Sequence, residues 1–226
     1  MRSKIHVKRL IAKDRRRKRS GDLLRLEVLN ACPRDRRIVF DEEAHTYQLD
    51  SAVTFPVSVS SVWNFFFEEM DMDETCHTYF SRWSQNPSSK YYATIAKGRV
   101  DGLSDQAIMA GIVEAWRDTG RQASAQGTYM HRQIELFLNC MECDDSLPEM
   151  EQFKSFMLDF ALPRRLEPFR TEWSIFDEDH MVAGQIDSIF KCIDAEVYYM
   201  IDWKRCAKPL DPHAGAFFNK YGHPPM

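Results

Sequence analysis

The chain has 226 residues, 44% of them hydrophobic and 28% charged, which is enough for one domain with a sizeable core. Its net charge of −4 hides an asymmetry. Of the 30 Lys and Arg residues, 14 lie in the first 37 positions, against 4 of the 34 acidic ones, so this arm carries about +10 and the rest about −14. No run approaches the ~18 apolar residues of a membrane span. No apolar segment follows the basic start, which argues against secretion and for an intracellular protein.

Residues 1–37 are expected to form a basic, disordered arm ahead of a folded domain over 38–226. Within it, Lys8-Arg9 and Lys13-Asp14-Arg15-Arg16-Arg17-Lys18-Arg19 read as a nuclear localisation signal, a nucleic-acid-binding tail or a solvated end. Asp14 and the scarcity of Ser and apolar residues spoil a mitochondrial presequence. Residues 38–50 suggest a short hairpin with a charged turn at Asp41 to Ala44, placing His45 and Tyr47 on one face, either bordering substrate or as a surface pair. From Ser58 to Glu69 the apolar run through Val62, Trp63, Phe65, Phe66 and Phe67 predicts a helix with a buried aromatic side.

A helix is predicted to start at the N-cap Ser104, stapled by Leu103 and Ile108 and continued through Ile112 and Trp116 until Gly120 interrupts it. The next helix holds Ile134, Phe137 and Leu138 at helical spacing, so His131 and Glu135, four apart, share a face. Gly127, without a Cβ, is expected to let that helix approach a sheet closely. Met150, Phe153, Met157 and Phe160 mark a further helix, closed by Pro163. Phe169 to Phe176 is read as a strand, in which Glu172 either faces a metal or pairs with a base.

Met181 to Lys204 carries the densest chemistry. Two apolar segments flank Asp194-Ala195-Glu196, the pattern of a β-hairpin. If the turn centres between Asp194 and Ala195, Asp187 lies opposite Asp202, with Cβ atoms roughly 4.5–5.5 Å apart. Alternation then puts Tyr198, Met200, Asp202 and Lys204 on one face and Val197, Tyr199, Ile201 and Trp203 on the other. Carboxylates this close repel unless a cation sits between them, and hard oxygen ligands suit Mg²⁺ or Mn²⁺. Lys204 beside them would orient a water or offset charge in phosphodiester hydrolysis. A single Asp-x-Lys is an ordinary surface feature, so the weight rests on the joint arrangement with His131. A zinc protease site is excluded, because no second His follows at the required spacing.

Gly127-Thr128-x-x-His131-x-x-x-Glu135, Arg170-Thr171-Glu172-Trp173, Gly184-x-Ile186-Asp187 and Ile201-Asp202-Trp203-Lys204, in this order, resemble the PD-(D/E)xK nuclease superfamily. The likeness is nearest to its RecB-type exonuclease branch, which includes the mitochondrial genome maintenance exonuclease and viral relatives. It covers roughly residues 38 to 226, with the specific motifs in 127–204. The resemblance implies an α/β fold with a restriction-endonuclease-like core, a mixed sheet flanked by helices, preceded here by an additional helical region. It also implies a metal-dependent exonuclease acting on DNA, single-stranded or with free ends. His131, Asp187, Asp202 and the Trp203 carbonyl would ligate Mg²⁺ or Mn²⁺, Lys204 would be the catalytic lysine, and Glu135 matches a core-helix acid of varying role. Members of the branch continue into a helix bearing Gln-x-x-x-Tyr, whereas this sequence ends at Tyr221-Gly222-His223-Pro224-Pro225-Met226. A fragment, a dispensable element and a catalytically inactive nucleic-acid-binding protein are the three expectations this leaves.

Six cysteines are scattered without paired spacing apart from Cys140-x-x-Cys143, the pattern of reduced thiols. Some relatives in the branch hold an iron–sulfur cluster through a trio of cysteines after the lysine. Only Cys206 follows Lys204, so no cluster is expected.

Overall fold

A computed structural model describes residues 24–41, 44, 46–50, 53–55, 57–66 and 70–206, a mixed α/β chain with two small sheets. The clustered basic run of residues 8–19 and His45 lie outside the described residues, as do the side chains of Trp63, Phe65 and Phe67. In chain order the elements are α1 (Arg25–Leu29), a 3-10 turn (Pro33–Arg37), β1 (Ile38–Asp41), β2 (Thr46–Leu49), β3 (Val53–Thr54) and β4 (Val57–Ser58). They continue with α2 (Val59–Phe66), α3 (Met72–Gln85), α4 (Tyr92–Val100), α5 (Asp105–Leu138) and α6 (Pro148–Phe156), which runs into a π-helical turn (Met157–Ala161). The strands β5 (Leu166–Asp177), β6 (Val182–Cys192) and β7 (Tyr198–Ile201) follow.

The described residues divide into two compact units, one within 24–65 and 127–206 and one within 66–126. In the second unit α3, α4 and the start of α5 bury Cys76, Phe80, Ile95, Ile108, Ile112 and Val113. Ser104 caps α5 as its sequence predicts, accepting the Ala107 N–H at 3.2 Å, whereas Leu103 is half exposed. Gly120 does not interrupt α5, which runs 34 residues. A helical glycine costs only about 1 kcal/mol relative to alanine, too little to end a helix anchored by packing at both ends. Gly127 makes no close approach to the described residues either, since a Cβ there would meet none of them within 4 Å.

The first unit contains both sheets. The 38–50 hairpin forms with Ile38 opposite Leu49 and Asp41 opposite Thr46, its turn held by Asp41 Oδ1 accepting the Ala44 N–H at 2.9 Å. Tyr47 is not a surface residue, being buried with Ile38, Leu49, Phe55 and Ala183. In the larger sheet β6 is central. β5 runs antiparallel along one edge, and the other is shared by β4, parallel at Val182 and Ala183, and β7, antiparallel at Ser188 to Lys191. One face of β6 and β7 packs Phe190, Tyr199, Ile201 and Trp203 against Met130, Ile134 and Leu138 of α5 and Met150 and Phe153 of α6. Tyr198 and Met200 stand exposed on the other face. The alternation read from the sequence holds except at Val197, which is exposed beside the turn.

Residues 24–37, assigned to the arm from charge alone, are part of the fold. Leu26 is buried in the core of the first unit, and Asn30 Nδ2 and Arg34 donate to the β5 carbonyls of Phe169 and Phe176, each at 2.8 Å. Asp35 accepts from Arg170 at 2.6 Å, Trp173 Nε1 at 2.8 Å and the Cys32 N–H at 2.9 Å. Burial alone would raise the Asp35 carboxyl, but these donors outweigh it and hold its pKa below the ordinary value. A depressed carboxyl contributes stability above its unfolded pKa and loses it as pH falls through the folded value, here below roughly pH 4. Urea unfolding of Asp35→Asn against pH therefore shows a shallower acid limb than wild type. Parallel limbs would place the acid sensitivity in other carboxylates.

Candidate metal centre

Three side chains from separate elements of the first unit converge. They are His131 on α5, Glu172 on β5 and Asp187 on β6, whose ligand atoms all lie within 4.8 Å of one another. Asp187 comes from the central strand, where the ladder sets Ser188 opposite both Thr171 and Ile201. One residue back along β6, Asp187 aligns with Glu172 on one side and Asp202 on the other. The register read from the hairpin pattern thus agrees with the ladder, although β7 ends at Ile201 and the Asp187 carboxylate takes the Trp203 N–H instead, at 2.7 Å.

Glu172 has φ 42°, left-handed backbone within an otherwise extended strand. A non-glycine residue there costs roughly 1–3 kcal/mol and persists only where its surroundings over-determine it. The strand also carries a register shift against β6 between Pro168 and Arg170, and the consecutive residues Arg170 and Thr171 are both buried. The Glu172 carbonyl accepts Gln185 Nε2 at 3.0 Å, and its carboxylate stands 3.4 Å from His131 Nδ1.

His131 Nε2 lies 2.9 Å from the Trp203 carbonyl, which can only accept, so this nitrogen carries a hydrogen. Nδ1 is thereby left facing Glu172 at 3.4 Å and Asp187 at 3.7 Å. A carbonyl fixing one imidazole nitrogen so that the other faces a site is the usual support for a ligating histidine. The Glu172 carboxylate raises the His131 pKa against the opposing effect of burial. Burial raises the Asp187 carboxyl, with the Trp203 N–H and His131 acting against it.

The other residues anticipated from the motifs occupy different places. Asp202 is 63% exposed at its side chain and pairs with Lys204 at 2.7 Å, outside the His131–Glu172–Asp187 group. That ion pair raises the Lys204 pKa, and the charges of Asp187 and Glu172 add to it. The Trp203 carbonyl orients His131, and its indole is fixed by Nε1 donating to Ser188 Oγ at 2.9 Å. Glu135 is buried one turn after His131 and pairs with Arg132; burial raises its carboxyl. Glu172 is the member that sequence reading left undecided. Its signal was register, since a strand just ahead of the Asp187 strand brings one of its acids alongside. A cleft of about 280 Å³ is lined by Phe153, Phe156, Trp203, Lys204 and Arg205 among others, and none of His131, Glu172 and Asp187 is in its lining.

Among the described residues no helix is long and apolar enough to cross a membrane. No family model, no curated protein and no solved structure matches this chain.

Proposed function

We propose that the chain is a Mg²⁺- or Mn²⁺-dependent nuclease that hydrolyses phosphodiester bonds in DNA, built on a restriction-endonuclease-like core of α5, β5, β6 and β7. The observation that carries this reading is the convergence of His131, Glu172 and Asp187 from three elements, with one histidine nitrogen already fixed by a backbone carbonyl. Two carboxylates and an imidazole suit a hard or borderline divalent ion, the imidazole favouring Mn²⁺. The order helix, strand, strand, strand agrees with the motif resemblance, and the Lys204–Asp202 pair stands at the same end of the hairpin.

A bound ion supplies Lewis acidity toward a phosphoryl oxygen and a more acidic water. The chain's own groups do the rest. With its Nε2 held by the Trp203 carbonyl, which keeps the ring from turning, His131 would present the Nδ1 lone pair to the ion. Asp187 is held by the Trp203 N–H, so its second oxygen stays available. Lys204, kept protonated by Asp202, provides positive charge beside the reacting phosphate.

The test uses the full chain on DNA labelled at either end, with Mg²⁺, Mn²⁺ or a chelator. Cleavage that needs the metal is the expected result; DNA binding with no metal-dependent cleavage would assign the chain to an inactive nucleic-acid-binding class. Mn²⁺ at a hundredfold excess over its Kd should also stabilise the fold by about 2.7 kcal/mol, seen as a raised denaturation midpoint. An unchanged midpoint at millimolar Mn²⁺ would argue against the centre.

A further inference from the structure

The left-handed backbone at Glu172 is enclosed by bonds to the residues on either side of it. Arg170, two residues before, and Trp173, one after, both donate to the single carboxylate of Asp35. Arg170 also donates to the Asn30 carbonyl at 2.9 Å, and its guanidinium lies 4.6 Å from the centroid of the Trp173 ring. Thr171, between them, takes the Asn139 amide at 2.9 Å; the same amide donates to the Glu135 carbonyl, and its Oδ1 accepts the Leu26 N–H. The Glu172 carbonyl is held by Gln185.

Arg170 is almost wholly buried, yet among the described residues its Nε has no hydrogen-bond partner. An unsatisfied buried donor next to a strained residue marks a place where geometry is kept at the expense of stability. Asp35 ties both flanks of Glu172 to a common point, and the segment that bears it is fastened to β5 by Asn30 and Arg34 as well.

We infer that Asp35 is a positioning residue, bracing Arg170 and Trp173 so that Glu172 keeps its left-handed backbone and turns its carboxylate toward His131 and Asp187. The 24–37 segment is then a working part of the centre, although it contributes no ligand. This rests on the metal reading of the site for its functional meaning, but the bracing itself is observable without metal.

Two variants loosen the brace from opposite sides. Asp35→Asn removes the charge that Arg170 pairs with, and Trp173→Phe deletes only the indole donor while leaving a ring beside Arg170. Arg34→Ala is the control, breaking a bond from the same turn to the same strand at Phe176, away from Glu172. In the metal-free protein the backbone carbon-13 shifts of Glu172 report its conformation. They should move toward extended-strand values in Asp35→Asn and Trp173→Phe and stay in place in Arg34→Ala. Titration with Mn²⁺ alone should show binding weakened about 10- to 100-fold in the first two, as for lost support behind metal ligands, and within about twofold of wild type in the control. Unchanged Glu172 shifts in both brace variants would overturn the inference. So would wild-type Mn²⁺ affinity in both, or equal loss in all three following their loss of melting temperature. A wild-type protein that binds no Mn²⁺ would remove the metal reading, and the carbon shifts would then decide the bracing alone.

Discussion

If the chain is the proposed nuclease, Asp187→Ala should abolish metal-dependent cleavage, a loss on the order of 10³-fold or more, and weaken Mn²⁺ binding with it. Asp187 faces His131 at 3.7 Å, accepts the Trp203 N–H and lies with Glu172 within the ligand group. Its removal leaves the His131 ring and the Trp203 amide without a common partner. Lys204→Ala behaves differently. Its side chain is 67% exposed and contacts an acid outside the ligand group, so metal binding survives while turnover falls on the order of 10²-fold. Measuring cleavage and Mn²⁺ affinity for both variants separates ligand from charge donor. Retained cleavage in Asp187→Ala would sink the assigned centre, and a Lys204→Ala protein that no longer binds Mn²⁺ would merge the two roles.

The parts legible in the sequence were those set by short-range period. The β6–β7 hairpin could be read because side chains alternate and the turn residues Asp194-Ala195-Glu196 interrupt two apolar runs, which together fix the register at Ser188 with Ile201. His131 could be placed on a helix because Ile134 and Leu138 repeat at its period, and both are buried. What could not be read depends on departures from period or on distance along the chain. Glu172 reaches the centre from a backbone conformation that no strand pattern announces. Asp35 stands 135 residues from Arg170, and its run of neighbouring arginines reads as a solvated arm until β5 offers carbonyls for it to cap. Gly120 and Gly127 misled in the opposite direction, because a local propensity of about 1 kcal/mol yields to a helix already packed at Ile108 and Ile112 near one end and at Ile134 and Leu138 near the other.

The candidate ligand Asp187 and the core residue Phe190 share one strand, and this sets the largest expected effect on stability. Phe190 is fully buried, opposite Tyr199 in the ladder and packed with Phe156 at a ring separation of 6.0 Å. Its cluster joins α5, which bears His131, to α6 and to the β6–β7 hairpin. Phe190→Ala removes the ring from a site enclosed by rigid elements on all sides, where the cavity cannot collapse fully, so a loss of about 3–5 kcal/mol is expected. That is a large share of the roughly 5–15 kcal/mol of a typical domain. Met200→Ala, ten residues on and 72% exposed, should change stability by less than about 0.5 kcal/mol. Urea unfolding of both variants measures the contrast, and a Phe190→Ala loss below about 1 kcal/mol would mean that the hairpin is not anchored through this ring. Because Asp187 lies three residues from Phe190 on the same strand, the variant should also bind Mn²⁺ more weakly per folded molecule, its strand freer to leave the register that aligns Asp187 with Glu172.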